Sequence, residues 1–271
     1  MKLLPQRDFM ELESILTDEL LIVQNDDIVS IFGVKIHNFS IDNAIRYMMF
    51  LIKHEQAICK SIFFVNTHTL NLAESNRGYQ DVLNSADAVF GDGTGVRWAA
   101  KLHGTTMKDN LVGTDLIPNF FKESAGFGYR YFLLGGQPDI IYEAANYASS
   151  HFAGWQMVGY HHGYFSVEET AEVIDKINSL RPHVVLVGMG NPNQELWIHK
   201  HRSQIKAPMA IGVGGLFHYW AGSLNRSPLF LRLIGMEWLG ILFQQPHKWK
   251  RYFIGNSQFL LRLAKLAKSK I

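Results

Sequence analysis

A Rossmann-like α/β fold is the architecture this sequence predicts, with a mostly parallel sheet between helices on both faces and a helical appendage at the C-terminus. Three features predict it. Short apolar runs of strand length alternate with longer stretches of helical spacing, the pattern of βα units. Most of those runs stop at a glycine or a polar turn. From about Pro228 the strands cease, and the chain becomes helical and then basic.

Residues 30–34 (SIFGV) form the first apolar run, and Ser40 is an N-cap before the periodic segment 41–54. The run 61–66 (SIFFVN) ends in Asn66 and leads into helical spacing over 69–86. A Gly-Asp-Gly turn cuts off the run 88–91 (AVFG), and 95–102 then has helical spacing, as does 115–124. The run 131–135 (YFLLG) ends in a glycine pair, after which Pro138 opens a helix over 138–150. The run 155–160 is followed by Ser166, a second N-cap, and a helix over 167–180. The run 183–189 (HVVLVGM) has the continuous apolar character of a strand covered on both faces, and Pro192 begins a helix over 192–201. The last strand is 209–213 (MAIGV); helical spacing resumes over 237–243 and after Pro246. The chain thus divides into an N-terminal extension (1–29), an α/β body (30–236) and a basic amphipathic appendage (237–271).

Composition excludes several classes. Of 271 residues, 47% are hydrophobic and 18% charged, which suits a large core and not a disordered or fibrous chain. The single cysteine, Cys59, forms no internal disulfide, so a cytoplasmic location is expected. No apolar run is long enough to span a bilayer, and acidic residues interrupt the N-terminus where a signal peptide needs an apolar stretch. The net charge of +2 is unevenly spread. After Glu237 there is no acidic residue and there are seven Lys or Arg, so the first 237 residues sum to about −5. Mixed with Trp249, Phe253, Ile254 and Leu261, that charge suits a helix lying on an anionic bilayer, or a helix packed on its own domain with a basic wet face. Its apolar residues also suit a second subunit in a homo-oligomer. Confinement of the positive charge to the tail argues against nucleic acid as a partner.

Ligands of such sheets bind beyond the carboxyl ends of the strands, so the residues after each apolar run are the candidates. Asn66 either caps the following helix or lines a pocket. Asp92, between Gly91 and Gly93, is either an Asp-Gly turn or a carboxylate placed as a general base. Gly135-Gly136 and Gly188-Met189-Gly190 open helices whose free N–H groups suit phosphate, although neither is a G-x-G-x-x-G fingerprint and no P-loop occurs. Asn191 follows the second of these turns. Gln194 and Glu195 suit a sugar or base, or are ordinary first-turn residues. Twelve histidines invite a metal site, but their spacing matches no metal motif, so neither a metal nor a cofactor is expected.

Taken together, IFGVKIHNFSIDNAI, FVNTHTLNLAE, ADAVFGDGTGV, GTDL, LLGGQPD, GYFSVEE, VGMGNPNQE, GVGGLFHYWAGSLNRSP, GMEWL and KWKRY resemble, in order, the bacterial WecG/TagA/CpsF glycosyltransferases (glycosyltransferase family 26). The resemblance implies metal-independent, inverting transfer of a sugar, usually of the N-acetylmannosamine type, from a UDP-sugar donor to a polyprenyl-diphosphate-linked saccharide acceptor. It implies Asp92 as general base, Asn66 in the same pocket, Gln194 in the nucleotide-sugar site, and the Gly135-Gly136 and Gly188-Gly190 turns around the UDP. It also implies that the tail closes over the site and meets the membrane at its inner face. Four single positions depart from the family pattern, Phe64 replacing a threonine, Asn110 an arginine, His218 an aspartate and Ile241 an arginine, and Gln245-Pro246-His247-Lys248 stands where the family has Glu-Pro-Arg-Arg. Lys248, Lys250 and Arg251 are left to supply the missing charge near a diphosphate. A non-catalytic nucleotide-sugar-binding or scaffold protein and a nicotinamide-dependent oxidoreductase are the alternative functions.

Overall fold

The computed structural model describes residues 28–54, 57–233 and 235–268, and the proposed N-terminal extension lies almost wholly outside them. β1 (Ile28–Ile31) and β2 (Val34–His37) lead to α1 (Ile41–Lys53), β3 (Lys60–Val65), α2 (Thr67–Ser75), α3 (Arg77–Asn84) and β4 (Ala88–Gly91). There follow α4 (Thr94–Leu102), α5 (Gly113–Glu123), β5 (Arg130–Gly135), α6 (Pro138–His151), β6 (Gln156–His161) and α7 (Thr170–Leu180). The chain continues through β7 (Val184–Gly188), α8 (Asn193–His201), β8 (Met209–Gly212), α9 (Leu216–Trp220), α10 (Leu229–Leu233), α11 (Glu237–Gln244) and α12 (Trp249–Lys268). The strands form one sheet in the order β1-β2-β4-β3-β8-β7-β5-β6, parallel except for the β1–β2 pair. This is the mostly parallel α/β sheet expected.

Strand periodicity assigns the two faces. In β3, Ile62 and Phe64 join one core layer and Phe63 and Val65 the other; in β5, Tyr131 and Leu133 oppose Phe132 and Leu134. The first layer holds α1, α5, α6 and α9, with Phe120, Phe121, Trp155 and Trp220 in mutual ring contact. The second holds α2, α3, α4, α7 and α8, and it also receives Phe259 and Leu263 of α12. The appendage is therefore packed on the body along one edge of its long helix, as the second reading of the tail expects, while Phe253, Ile254 and Leu261 remain exposed.

Three local expectations are corrected. Residues 30–34 are not one strand but the centre of a hairpin, because Phe32 (φ 49°) and Gly33 (φ 79°) both take left-handed conformations and make a two-residue turn. A phenylalanine at positive φ is a strained choice; Phe32 is held by an edge contact to Phe259 at 5.5 Å and by its carbonyl, which accepts from Gln80 Nε2 at 2.6 Å. The helix expected over 69–86 is broken at Asn76, which is extended (φ −139°, ψ 100°) and whose side chain accepts from Tyr79 N–H to start α3. Pro192 precedes α8 as its cap and is not its first helical residue. Ser40 caps α1 as expected, its hydroxyl accepting from Asn43 N–H. Ser166 shares a reciprocal pair with Glu169, but α7 starts one turn later than expected, at Thr170.

At the strand ends, close approach forces glycine. Gly135 (φ 136°) lies so near β7 that a β-carbon there would collide with the Gly188 carbonyl. Gly190 (φ 76°) has open space around it. Gly135→Ala is expected to cost at least ~3 kcal/mol, combining collision with backbone strain, and Gly190→Ala ~1–2 kcal/mol from strain alone. Urea unfolding of the two variants gives the comparison; equal losses would mean that the β5–β7 approach is looser than described.

Candidate active site

The carboxyl ends of β3, β4, β5, β7 and β8 open onto one cavity of about 1430 Å³. Asn66, Asp92, Gly93, Gly136, Gly188, Gly190, Asn191 and Gln194 line it from the body, and Lys248 and Arg251 from the C-terminal arm. Sequence-distant residues thus meet where the strand order of a wound sheet leaves a crevice. Gly91, Gly135 and Glu195 do not line it. Gly91 is buried where a β-carbon would come within 2.9 Å of Val96, so it serves the packing of α4 on β4. Gly135 serves the β5–β7 contact.

Asp92 is half-buried at the tip of β4, its N–H donating to the Val65 carbonyl at 2.8 Å. The following turn is braced by Asn110, whose Oδ1 accepts from Gly93 N–H at 2.7 Å. Burial pushes the Asp92 carboxyl up to about 7, with Glu237 and Asp115 raising it further and Arg226 and Arg251 opposing them. A carboxylate in that range is poised to exchange a proton near neutral pH.

Asn66 is an N-cap and a lining residue at once. Its Oδ1 accepts from His68 N–H and Thr69 N–H at 3.0 and 3.3 Å, while Thr69 Oγ1 accepts from the Asn66 N–H at 2.6 Å. The cap occupies the oxygen, so the amide NH2 is the group left for a ligand. Glu195 lies behind the cavity wall and Gln194 on it. Glu195 is fully buried; Tyr79, Asn191 and Gln194 donate to it at 3.3, 2.6 and 2.7 Å, and burial raises its carboxyl to about 7. Gln194 donates to Glu195 and accepts from Gly214 N–H at 2.9 Å, tying the start of α8 to the β8 loop. These bonds shape the cavity wall.

The cations come from α10 and the arm. Arg232 of α10 and Arg251 of the arm line the cavity, and among the described residues each has a buried Nε without a hydrogen-bond partner. Lys248 lines it as well, its ammonium pKa lowered by burial and by Arg251. His68, facing the same cavity, is lowered to about 4 by burial, Arg251 and Lys248, and is a neutral imidazole at pH 7. Lys250 does not line the cavity and stands 5.8 Å from the Trp249 ring. The four departures Phe64, Asn110, His218 and Ile241 all face the cavity. Arg232, Arg226 and Glu237 were missed as site residues; helical spacing marks Arg232 no differently from a surface arginine, and the other two were visible only as letters inside GSLNRSP and GMEWL.

A crevice at the carboxyl edge of a parallel sheet, lined by a carboxylate and by several cations, is where ligands of such folds bind. The family is shown by comparison. The profile of the Glycosyl transferase WecG/TagA/CpsF family matches residues 29–270, and the chain belongs to that family. It is a glycosyltransferase. Among its relatives is an N-acetylglucosaminyldiphosphoundecaprenol N-acetyl-β-D-mannosaminyltransferase of Bacillus spizizenii, 35% identical over 179 residues, covering 66% of this chain and 69% of the relative. Proteins of the same name match in Bacillus subtilis, 30% identical over 243 residues (87% of this chain, 92% of the relative), and in Staphylococcus aureus, 29% over 247 residues (90% and 94%). The oxidoreductase alternative falls away.

Gln194→Ala is expected to lower stability by ~1–3 kcal/mol, because it leaves Gly214 N–H and Glu195 short of partners. Denaturant titration checks this; a variant with unchanged stability and weakened nucleotide binding would make Gln194 a ligand contact after all.

Proposed function

We propose that this chain transfers a sugar, of the N-acetylmannosamine type or a related hexose or uronic acid, from a UDP-sugar to a polyprenyl-diphosphate-linked saccharide, with inversion and without a metal ion. The observation that carries the proposal is one cavity lined by Asp92 together with Arg232 and Arg251, whose Nε atoms have no hydrogen-bond partner among the described residues, in a chain whose relatives are named for transfer to N-acetylglucosaminyldiphosphoundecaprenol. Asp92 takes the proton of the acceptor hydroxyl as that oxygen bonds to the anomeric carbon. The bond from that carbon to the diphosphate oxygen breaks on the opposite face, which inverts the centre, and UDP leaves carrying the electron pair. Arg232, Lys248 and Arg251 stabilise the charge that develops on the diphosphate, together with N–H groups of the glycine turns. These three cations thereby take the part of the arginines absent at positions 110 and 241.

The membrane surface is the proposed meeting place of enzyme and lipid. No helix among the described residues is long and apolar enough to cross a bilayer. α12 exposes Trp249, Phe253, Ile254, Leu260 and Leu261 beside Lys250 and Lys265, which favours docking on an anionic leaflet. The body, arm and N-terminal extension keep the bounds 30–236, 237–271 and 1–29 in this reading, and a homo-oligomer would compete for the same apolar face.

With a UDP-sugar, a polyprenyl-diphosphate-linked acceptor and EDTA present, the wild type is expected to release UDP. Asp92→Asn should lose at least about 100-fold in rate while still binding UDP. Because the base works deprotonated, kcat/KM is expected to fall about tenfold per pH unit below a midpoint of about 7. A flat profile, or an active Asp92→Asn, refutes the assignment.

Ile254→Glu with Leu261→Glu should weaken sedimentation with phosphatidylglycerol vesicles by about tenfold. Undiminished binding would exclude α12 as the docking surface.

A further inference from the structure

Three motifs of the sequence hold charges that act on Asp92: GTDL with Asp115, GSLNRSP with Arg226 and GMEWL with Glu237. The fold brings them together on one side chain. Arg226, in the connection between α9 and α10, donates to both carboxylate oxygens of Asp115 at 3.0 and 3.1 Å and to the Thr114 hydroxyl, all at the start of α5. Its Nε stands 3.0 Å from Glu237, the first residue of α11. Its neighbours complete the contact with α11. Asn225 N–H donates to Gln244 Oε1 at 2.7 Å, and Gln244 Nε2 donates back to the Asn225 carbonyl at 2.9 Å. The Ser227 hydroxyl donates to the Glu237 carbonyl at 2.8 Å and lies against Gly240, where any β-carbon would strike it.

We infer that Arg226 is a positioning residue: it docks the C-terminal arm on the body through Glu237, and from the same place it balances the charge around Asp92. The inference deepens the proposed function and rests on Asp92 as the base. Its two halves are linked by geometry. The arm that Glu237 anchors carries Lys248 and Arg251 into the cavity, so an undocked arm takes the leaving-group cations with it. The anchor is also the charge set that surrounds the base. Asp92 is faced by Asp115 from α5, Arg226 from the connection, Tyr219 from α9, Glu237 from α11, and Arg251 and Tyr252 from α12. Arg226 is the cation that pairs with both carboxylates of this set and offsets part of their charge. Without it, Asp115 and Glu237 oppose ionisation of Asp92 unscreened; without the Glu237 charge, ionisation becomes easier.

The test uses the full-length protein and the transfer assay at a series of pH values. Arg226→Ala is expected to move the acid limb of the rate profile to higher pH by about half a unit or more, and Glu237→Gln to move it the opposite way. Arg226→Lys, which keeps the charge and loses the two-pronged contact, should restore the limb while transfer stays below wild type. Hydrogen exchange over 237–268 should quicken in Arg226→Ala. If Arg226→Ala does not fold, Glu237→Gln decides by itself, since it keeps shape and removes only charge. Loss of rate at every pH with no movement of the limb in either variant, or unchanged exchange in the arm, overturns the inference. An active Asp92→Asn overturns the proposed function instead, so the two failures are told apart.

Discussion

A carboxylate withdrawn from water is costly to ionise unless cations or hydrogen bonds replace the water, and Asp92 is such a carboxylate. Its surroundings answer that cost only in part. Burial, Glu237 and Asp115 push against ionisation, while Arg226 and Arg251 favour it, and the balance lies near neutrality. A free surface aspartate would be ionised and a weak base; a buried one without cations would stay protonated. The intermediate state needs the body to supply the walls and the arm to supply part of the positive charge. Burial of Phe259 and Leu263 in the second core layer, next to the helices of the body, is what holds α12 and its Arg251 at the cavity.

The cavity exists because five parallel strands end together and their turns leave room. At Gly188 a β-carbon would come within 2.6 Å of the Phe217 ring, so a side chain there would push α9 away from the sheet. At Gly93, in contrast, a β-carbon would meet no described atom within 4 Å, and φ is 98°, which lets the chain reverse directly after Asp92. Glycine thus has two uses at one sheet edge: close packing behind the cavity wall and backbone reversal at its rim. Buried Glu195 adds rigidity, since three donors from α3, the β7 loop and α8 converge on it.

The positions at which this chain differs from the family pattern share the cavity, and the structure assigns some of them new work. Asn110 braces the Gly93 turn, a role for a neutral amide. His218 lies within hydrogen-bonding distance of Ser223, 3.0 Å from its hydroxyl, and its pKa is lowered by burial and by Lys248, so it adds no fixed positive charge. Three cations of the cavity wall, Arg232, Lys248 and Arg251, all follow residue 228 in the chain. In the proposed function they supply the positive charge that the diphosphate needs.

Periodicity and turn chemistry by themselves determined the α/β class, the order of most strands and helices, and the edge of the sheet where function lies, because these follow from local spacing of apolar residues and glycines. Asp92 was legible as a strand-tip carboxylate for the same reason. The hairpin at Phe32 was not, since its turn lacks the Asn-Gly or Asp-Gly signal and is held by Phe259, 227 positions away in sequence. Nor was the fate of Gln194 and Glu195 legible, because a first-turn position is the same in sequence whether its side chain meets a ligand or a buried network. Only the tertiary structure decided that Arg226 joins Asp115 to Glu237 and that Arg232 and Arg251 reach the same cavity. Charge pairing between distant segments depends on distances of a few ångströms, and those are properties of the folded chain alone.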